Sequence, residues 1–250
     1  MHDAVVIRLL GGRLVWYPPG MDADAHSLES KAAMDRLLLT AAEPRANLCF
    51  AVPGTDVTLL STQFSPAEKK HIDKALPFTL EEQLVSDIDD LHFSTQLLDQ
   101  SSLCVAICSL QKMHDWQEIL ADIPNLNQWL PEVQLLPWDE GQWTIVLEDN
   151  YAIVRLGACE GFSVERNSLA NMLQALVNDT QKLPSAVVVY GQDQKLEETL
   201  LPTPVLELMQ WRHGDFRAAL MLARDSHPTV NLLQGVFGRR LPLQRWWREW

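Results

Sequence analysis

The densest group of ionisable side chains in this 250-residue sequence is an acidic segment, residues 81–90. It holds five carboxylates and no Lys or Arg: Glu81, Glu82, Asp87, Asp89 and Asp90. A calcium loop needs a central glycine among alternating oxygen ligands, and this segment has none. Two interpretations stay open. The segment is a solvated acidic face, or Glu81, Glu82, Asp89 and Asp90 form a docking surface for a basic partner, at some cost from like-charge repulsion.

Cysteine and histidine give little sign of metal binding or catalysis. Of four cysteines, only Cys104 and Cys108 lie close together, in an apolar run where a strand would point both to one face. A zinc site needs a second pair of Cys or His ligands, and the seven histidines are scattered. We therefore predict buried structural thiols, no metal, no cofactor, and by default a reducing compartment.

The usual catalytic motifs are absent from the sequence. It contains no G-x-x-x-x-G-K-[ST] or G-x-G-x-x-G phosphate cradle, no G-x-S-x-G elbow and no H-E-x-x-H pair. A formal net charge of −13 would repel phosphate backbones, which argues against nucleic acid as a partner. With no apolar run of membrane-spanning length and no leader-like N-terminus, the chain is expected to be soluble and unprocessed.

Hydrophobic patterning predicts an α/β protein in which strands alternate with helices. A hairpin opens the chain, with strands at Ala4–Leu10 and Arg13–Tyr17 around a Gly11-Gly12 turn. Further strands are predicted at residues 47–52, 57–63, 91–98, 103–110, 133–136, 143–147, 151–156 and 186–190, and helices at 27–42, 113–123 and 169–177. Residues 5–17 and 143–156 share the pattern strand, turn, strand, which suggests two related lobes.

Two helix starts are predicted around Pro77. Ser65, followed by Pro66 and Glu68, is typical of a capping box, so a helix is expected from Ser65 to about Leu76. Pro77 should interrupt it. Thr79 with Glu82 three residues later then predicts a second helix, with Leu80, Leu84 and Ile88 along its apolar face.

Several segments resemble the type II secretion system protein L family. The strongest is Ala75-Leu76-Pro77-Phe78-Thr79-Leu80-Glu81-Glu82-Gln83-Leu84, continued by Asp87-Ile88-Asp89-Asp90-Leu91-His92-Phe93. The stretches Val52-Pro53-Gly54-Thr55-Asp56-Val57 and Asn231-Leu232-Leu233-Gln234-Gly235 add to it. The resemblance implies an actin-like fold of two lobes with mixed, ribonuclease-H-like sheets, assigned here to residues 1–90 and 91–238.

The implied fold raises the question of nucleotide binding, because actin-like kinases and ATPases hold phosphate and magnesium at two hairpin turns. The first turn follows Arg8 and Leu9 and has no carboxylate, while the second, Glu148-Asp149-Asn150, has no glycine to admit a phosphate. After the strand ending at Tyr190, one Gly191 is followed by Gln192 where the relatives carry two glycines. We expect a degraded nucleotide site and no enzyme activity.

The resemblance also implies a role in assembling the secretion system. Family members anchor the cytoplasmic secretion ATPase, protein E, to the bacterial inner membrane and associate with membrane proteins M and F. We therefore expect a non-catalytic scaffold on the cytoplasmic face of that membrane. The oligomeric state stays open, a homodimer included.

The C-terminal residues 239–250 combine cations with tryptophan: Arg239, Arg240, Arg245, Trp246, Trp247, Arg248 and Trp250. Such a composition is typical of a cytoplasmic approach to a bilayer, where arginines meet anionic headgroups and tryptophan rings sit at the interface. A terminal helix that packs its tryptophans on the core is the alternative. For the whole chain, the alternatives are an actin-like nucleotide-binding ATPase or kinase and the related actin-like protein of type IV pilus assembly.

Overall fold

The computed structural model describes residues 4–18, 26–28, 31–42, 47–64, 72–179, 183–223 and 228–238. Within these ranges the strands form two five-stranded sheets and one three-stranded sheet. The predicted α/β class is confirmed. Every strand that the sequence predicts is present except that at residues 133–136, which forms a 3₁₀ turn, Glu132–Leu135, after a strand that ends at Pro131.

The first sheet is built on the N-terminal hairpin. Its order is β3-β2-β1-β4-β8, from β1 (Ala4–Leu10), β2 (Arg13–Tyr17), β3 (His26–Ser27), β4 (Asn47–Val52) and β8 (Gln128–Pro131). Gly11 and Gly12 join β1 to β2 with φ of 55° and 81°, which glycine adopts without a steric penalty. Helix α1 (Lys31–Ala41) follows β3 and buries Leu37 and Ala41.

The second five-stranded sheet repeats this connectivity. Its order is β11-β10-β9-β12-β13, from β9 (Gln142–Leu147), β10 (Tyr151–Arg155), β11 (Gly161–Glu165), β12 (Ala186–Gly191) and β13 (Met209–His213). In both sheets the first strand lies at the centre, pairs antiparallel with the second and parallel with the fourth. The weak internal repeat thus corresponds to equivalent hairpins. The helices are α4 (Leu169–Asn178), α5 (Gln194–Glu197), α6 (Thr203–Glu207) and α7 (Phe216–Leu222).

A three-stranded sheet is inserted between β4 and β8 of the first sheet. Its order is β5-β7-β6, from β5 (Thr58–Gln63), β6 (Leu91–Leu97) and β7 (Ser102–Ser109), with helices α2 (Ile72–Leu80) and α3 (Leu110–Ile119) beside it. Strands from both sides of residue 90 share this sheet, and the division into lobes at residues 90 and 91 stays a prediction.

The central strand β7 serves two cores at once. Cys104 and Cys108 point to the large core beneath the first sheet, which confirms that they share a face, whereas Val105 and Ile107 point to a small core under α2. This two-sided burial follows from the period of two along a strand.

The first helix predicted around Pro77 is confirmed over its described part, residues 72–76, but the interruption at Pro77 and the second helix start at Thr79 are wrong. Helix α2 runs through Pro77 to Leu80, because burial of Leu76 and Leu80 offsets the hydrogen bond that proline cannot donate. Thr79 does not cap a new helix, since its hydroxyl donates to the Ala75 carbonyl oxygen one turn back, at 3.0 Å. The predicted capping residues Ser65 and Glu68 lie outside the described residues.

Two of the four cysteines are paired. Cys104 of β7 and Cys159, in the loop between β10 and β11, form a disulfide with a Cα–Cα distance of 5.4 Å. The prediction of four free thiols is therefore wrong for this pair, which the fold brings together across 55 residues of sequence. Cys49 and Cys108 are free and buried, and burial raises the pKa of each thiol to about 12.

Candidate functional site

The three segments that the sequence marked as remnants of a nucleotide site meet at one cleft between the five-stranded sheets. Gly11 from the first hairpin turn, Glu148, Asp149 and Asn150 from the second, and Gln192 after β12 line a volume of about 700 Å³. The cleft therefore lies where the two equivalent hairpins face each other.

Arg8 of β1 contacts residues that line this cleft. Its guanidinium donates to Glu132 at 2.9 Å, to both carboxylate oxygens of Glu148 at 2.9 and 3.1 Å, and to the Tyr151 hydroxyl. The same group lies 3.8 Å from the centroid of the Phe216 ring, a cation–π distance. One buried arginine thus links the first sheet to Glu148 and Tyr151 of the second hairpin and to Phe216 of α7.

Burial and charge oppose each other at this arginine. Desolvation acts to lower the pKa of Arg8, but the carboxylates of Glu132 and Glu148 outweigh it, and the pKa stays well above its ordinary value. Burial raises the pKa of the Tyr151 phenol, although the Arg8 charge acts to lower it. The arginine is therefore charged and its phenol partner neutral at any physiological pH.

Glu132 ties together the chain segments around Arg8. Its Oε2 binds Arg8, while its Oε1 accepts from the Gly54 backbone N–H and from the Ser163 hydroxyl, each at 2.9 Å. Glu132 is 3% exposed, so these three donors replace water around its charge. Sequence reasoning missed this residue, and an acidic side chain within the apolar run Trp129–Leu136 was the available signal.

The connection from β8 to β9 is held from the second sheet as well. Arg155 donates to the carbonyl oxygens of Gln134 and Leu136 on this connection, and burial lowers its pKa to about 10. Gln134 in turn donates to the Ala158 carbonyl oxygen at 3.1 Å and accepts from the Val230 N–H at 2.9 Å. The connection between the two five-stranded sheets is therefore fixed by buried hydrogen bonds on both sides.

The residues of the cleft do not fit magnesium and a nucleotide. Both carboxylate oxygens of Glu148 accept hydrogen bonds from Arg8, so this side chain is already engaged by a cation. The space beside the Gly191 Cα does not admit adenosine, because Glu197 and Trp211 already fill it. A Cβ at residue 191 would lie 2.0 Å from the Glu197 carboxylate and 2.4 Å from the Trp211 ring. The lack of a side chain at Gly191 serves internal packing. Within the described residues, no three His, Cys, Asp or Glu side chains are grouped as metal ligands would be.

Comparison with known proteins assigns the chain to a family. The profile described as "Type II secretion system (T2SS), protein L" matches residues 21–240.

The chain belongs to the type II secretion system protein L family.

Similar proteins carry the protein L name. The type II secretion system protein L of Dickeya chrysanthemi is 30% identical over 160 residues, which cover 63% of this chain and 38% of that protein. The protein L of Klebsiella pneumoniae is 25% identical over 201 residues, 79% of this chain and 47% of that protein. The chain thus spans less than half the length of these curated relatives.

A solved structure shares the fold. The cytoplasmic domain of EpsL, an inner membrane component of the type II secretion system of Vibrio cholerae, matches with a TM-score of 0.68 and 16% identity, over 93% of this chain and 98% of that one. The predicted two-lobed, actin-like fold with mixed sheets is confirmed. No helix in the described residues is long and apolar enough to cross a bilayer.

The acidic segment, residues 81–90, is mostly exposed but does not form one helix face, so the predicted second helix is wrong. Glu81 and Glu82 lie on one 3₁₀ turn, Glu81–Gln83, and Asp89 and Asp90 lie on another, Ile88–Asp90. Asp87 caps the second turn by accepting from the Asp89 N–H at 3.0 Å. The Asp87 carboxylate therefore has a hydrogen-bond donor. On a continuous helix the same side chain would have faced the apolar side. A role for Glu81, Glu82, Asp89 and Asp90 in docking stays a prediction.

The Asn-Leu-Leu-Gln element near the C-terminus joins two sheet edges. Asn231 accepts from the Trp129 N–H of β8 at 3.0 Å, and Gln234 accepts from the Thr95 N–H and donates to the Thr95 carbonyl oxygen of β6, at 3.0 and 2.9 Å. These side-chain amides therefore pair with β8 and β6 as a neighbouring strand would.

The membrane-proximal prediction, by contrast, lies outside the described residues. It concerns seven positions: Arg239, Arg240, Arg245, Trp246, Trp247, Arg248 and Trp250.

Proposed function

We propose that this chain is the cytoplasmic, non-catalytic scaffold of protein L, which docks the secretion ATPase, protein E, at the cytoplasmic face of the bacterial inner membrane. Proteins M and F of the same system are its expected membrane partners. The observation that carries the proposal is the buried ion-pair network of Arg8, Glu132 and Glu148 at the cleft between the lobes.

This network argues against turnover of a nucleotide. Actin-like enzymes need acidic side chains free to hold a metal and lobes free to close on the ligand. Here Arg8 is ion-paired with both Glu132 and Glu148 and links the two hairpins, and breaking such a buried pair costs about 3–5 kcal/mol. Lobes held together in this way suit a protein whose role is to present fixed surfaces to partners.

Charge supports docking at the acidic segment. Glu81, Glu82, Asp89 and Asp90 are exposed, and the sequence contains no Lys or Arg between Ala75 and Gln111. An exposed ion pair is worth only about 0–1 kcal/mol, so single substitutions should be nearly silent. The combined field of four carboxylates should instead accelerate encounter with a basic surface.

The test measures association of the purified chain with its cognate secretion ATPase at several salt concentrations. Replacing Glu81 and Glu82 by Gln and Asp89 and Asp90 by Asn should slow association and flatten its dependence on salt, with a smaller effect on dissociation. The matched control removes four exposed carboxylates from the second lobe: Asp139→Asn, Glu140→Gln, Glu165→Gln and Glu207→Gln. It should associate faster than the first variant.

Two results would contradict parts of the proposal. A wild-type chain that binds no ATPase would contradict the docking role as a whole. If the acidic-segment variant stays folded and associates at the wild-type rate at low salt, the segment is only a solvated face. The contact would then lie elsewhere, and residues 91–136 are the next region to test.

A further inference from the structure

Two large apolar side chains stand in solvent beside the acidic segment. Phe78 on α2 is 68% exposed, and Val85, after the first 3₁₀ turn, is fully exposed. They lie seven residues apart in the chain, with Glu81 and Glu82 between them. A single exposed apolar residue needs no explanation, but two within one short segment rimmed by charge resemble the centre of a protein interface.

The local backbone fixes Phe78 outwards. Leu76 and Leu80, one helical turn apart, are both buried in the small core under α2. Residue 78 lies halfway between them, so the 3.6-residue period turns its side chain to the opposite side of the helix. The neighbouring Ala75 and Thr79 are also exposed. Phe78 therefore cannot reach the core unless Leu76 and Leu80 leave it.

Val85 is held outwards by a different element. Leu84 packs against the same small core in an extended conformation, with φ of −106° and ψ of 144°. Since successive side chains of an extended chain point to opposite sides, Val85 must face solvent. The Leu84 N–H donates to the Glu81 carbonyl oxygen at 3.1 Å and keeps the turn in place. Both apolar side chains are thus presented by ordered backbone.

We infer that Phe78 and Val85 are the anchors of the docking surface, inserting into an apolar groove rimmed by basic side chains on the partner. The inference rests on the proposed docking of the ATPase and names the chemistry of its contact. Residues 81–90 carry five carboxylates and no cation. Charge complementarity therefore favours a partner whose groove is bordered by Lys or Arg side chains. The carboxylates set how fast the partner arrives, and the apolar side chains set how long it stays.

The experiment separates these two contributions by kinetics. Phe78→Ser and Val85→Ser, each tested against the cognate ATPase, should raise the dissociation rate about tenfold, the loss of roughly 1.4 kcal/mol typical of an interface anchor. Their association rates should stay within about twofold of wild type, because encounter follows charge. Phe78→Leu and Val85→Ile keep apolar volume and should retain most of the residence time.

A matched control is available on another helix. Leu39 of α1 is 74% exposed, so Leu39→Ser removes an apolar side chain of similar exposure from the first lobe. It should leave both rates unchanged. Thermal unfolding of every variant checks that it is folded. Because the substituted side chains are exposed, we expect unfolding temperatures equal to that of the wild type.

Three outcomes would contradict the inference that Phe78 and Val85 anchor the partner. Wild-type chain that does not bind the ATPase overturns the proposed function and this inference with it. Binding in which Phe78→Ser and Val85→Ser dissociate no faster than Leu39→Ser overturns the inference alone. A dimer of the free chain that both serine variants convert to monomer would put a second copy on this surface, which also overturns it.

Discussion

Arg8 and Glu148 form a two-pronged ion pair across the cleft, with Nη1 2.9 Å from Oε1 and Nη2 3.1 Å from Oε2. Arg8 belongs to the first strand of the first sheet, whereas Glu148 begins the hairpin turn of the second. The parallel geometry of guanidinium and carboxylate makes this one of the stronger side-chain interactions available to a protein. It joins the two hairpins whose counterparts in actin-like enzymes hold phosphate.

The first prediction concerns the stability of this junction. Replacing Arg8 by Met should lower the free energy of unfolding by about 3–5 kcal/mol, because Glu132 and Glu148 are left charged without their partner. Urea unfolding measures the change. Lys195→Met, which removes an exposed cation from α5, should have almost no effect. If Arg8→Met unfolds at the wild-type urea concentration, the network does not hold the lobes together.

The same variant offers an internal check. In the triple variant Arg8→Met, Glu132→Gln, Glu148→Gln, no unpaired charge is buried, so part of the lost stability should return. A triple variant no more stable than Arg8→Met would show that the lost packing of the arginine, rather than the unpaired carboxylate charges, dominates.

The second prediction is that magnesium-ATP does not bind in the micromolar range. The cleft presents the carboxylates of Asp149 and Asp215, and the Arg8 charge is already neutralised. Calorimetry measures binding directly, and thermal shift adds an independent reading, since saturation at 100 times the dissociation constant would add about 2.7 kcal/mol. Micromolar affinity that disappears on replacing Asp149 would contradict the scaffold proposal.

Hydrophobic alternation and turn residues predicted most of the strands correctly. The hairpins at Gly11-Gly12 and Glu148–Asn150 were predictable because turn residues and alternating apolar residues are encoded within a few positions. The course of α2 was not, since the burial of Leu76 and Leu80 that carries it through Pro77 depends on the distant strand β7. Thr79 shows the same limit, because a hydroxyl can cap a helix or bond back to its own turn.

The site illustrates what a single sequence hides. The sequence shows that Arg8 does not suit a phosphate-binding turn. Its partners Glu132 and Glu148 lie more than 100 residues away, and only the fold brings them together. The Cys104–Cys159 pair escaped notice for the same reason. Long-range pairs of this kind leave no local periodicity.

The third prediction tests the amide links between sheet edges. Asn231→Ala should lower the free energy of unfolding by about 1–3 kcal/mol, because the Trp129 N–H loses its acceptor in a half-buried setting. Asn171→Ala, on the exposed face of α4, is the control and should be nearly neutral. Equal stability of the two variants would show that the C-terminal element is not structurally important.

The fourth prediction is a loss of stability in mild acid that depends on His92. Burial lowers the pKa of this imidazole, although its hydrogen bond to the Leu232 carbonyl oxygen acts to raise it. Because the unfolded chain then binds the proton more tightly, stability is complete above the ordinary pKa of about 6.5 and falls as the pH drops below it. His92→Gln should reduce this dependence, and His213→Gln, on the exposed edge strand, should not. Identical pH profiles of wild type and His92→Gln would refute it.

The fifth prediction concerns residues 239–250. The full chain should sediment with vesicles containing anionic lipid, and a chain ending at Gly238 should not, because each arginine near such a surface contributes about 1 kcal/mol. Neutral vesicles and high salt should release the full chain. If both chains sediment alike, this segment does not contact the membrane surface.

The two faces of β7 also separate the packing of α2 from the packing of the main core. Its even-numbered residues from 104 to 108 belong to the main core, and its odd-numbered residues from 103 to 107 pack with α2 in a cluster of their own. Substitutions in α2 and in the turns after it therefore change the packing of that small cluster and not the packing around Arg8, Glu132 and Glu148. If residues 72–90 carry the proposed docking surface, exchanging them between relatives should exchange partner preference and leave the ion pairs of Arg8 intact.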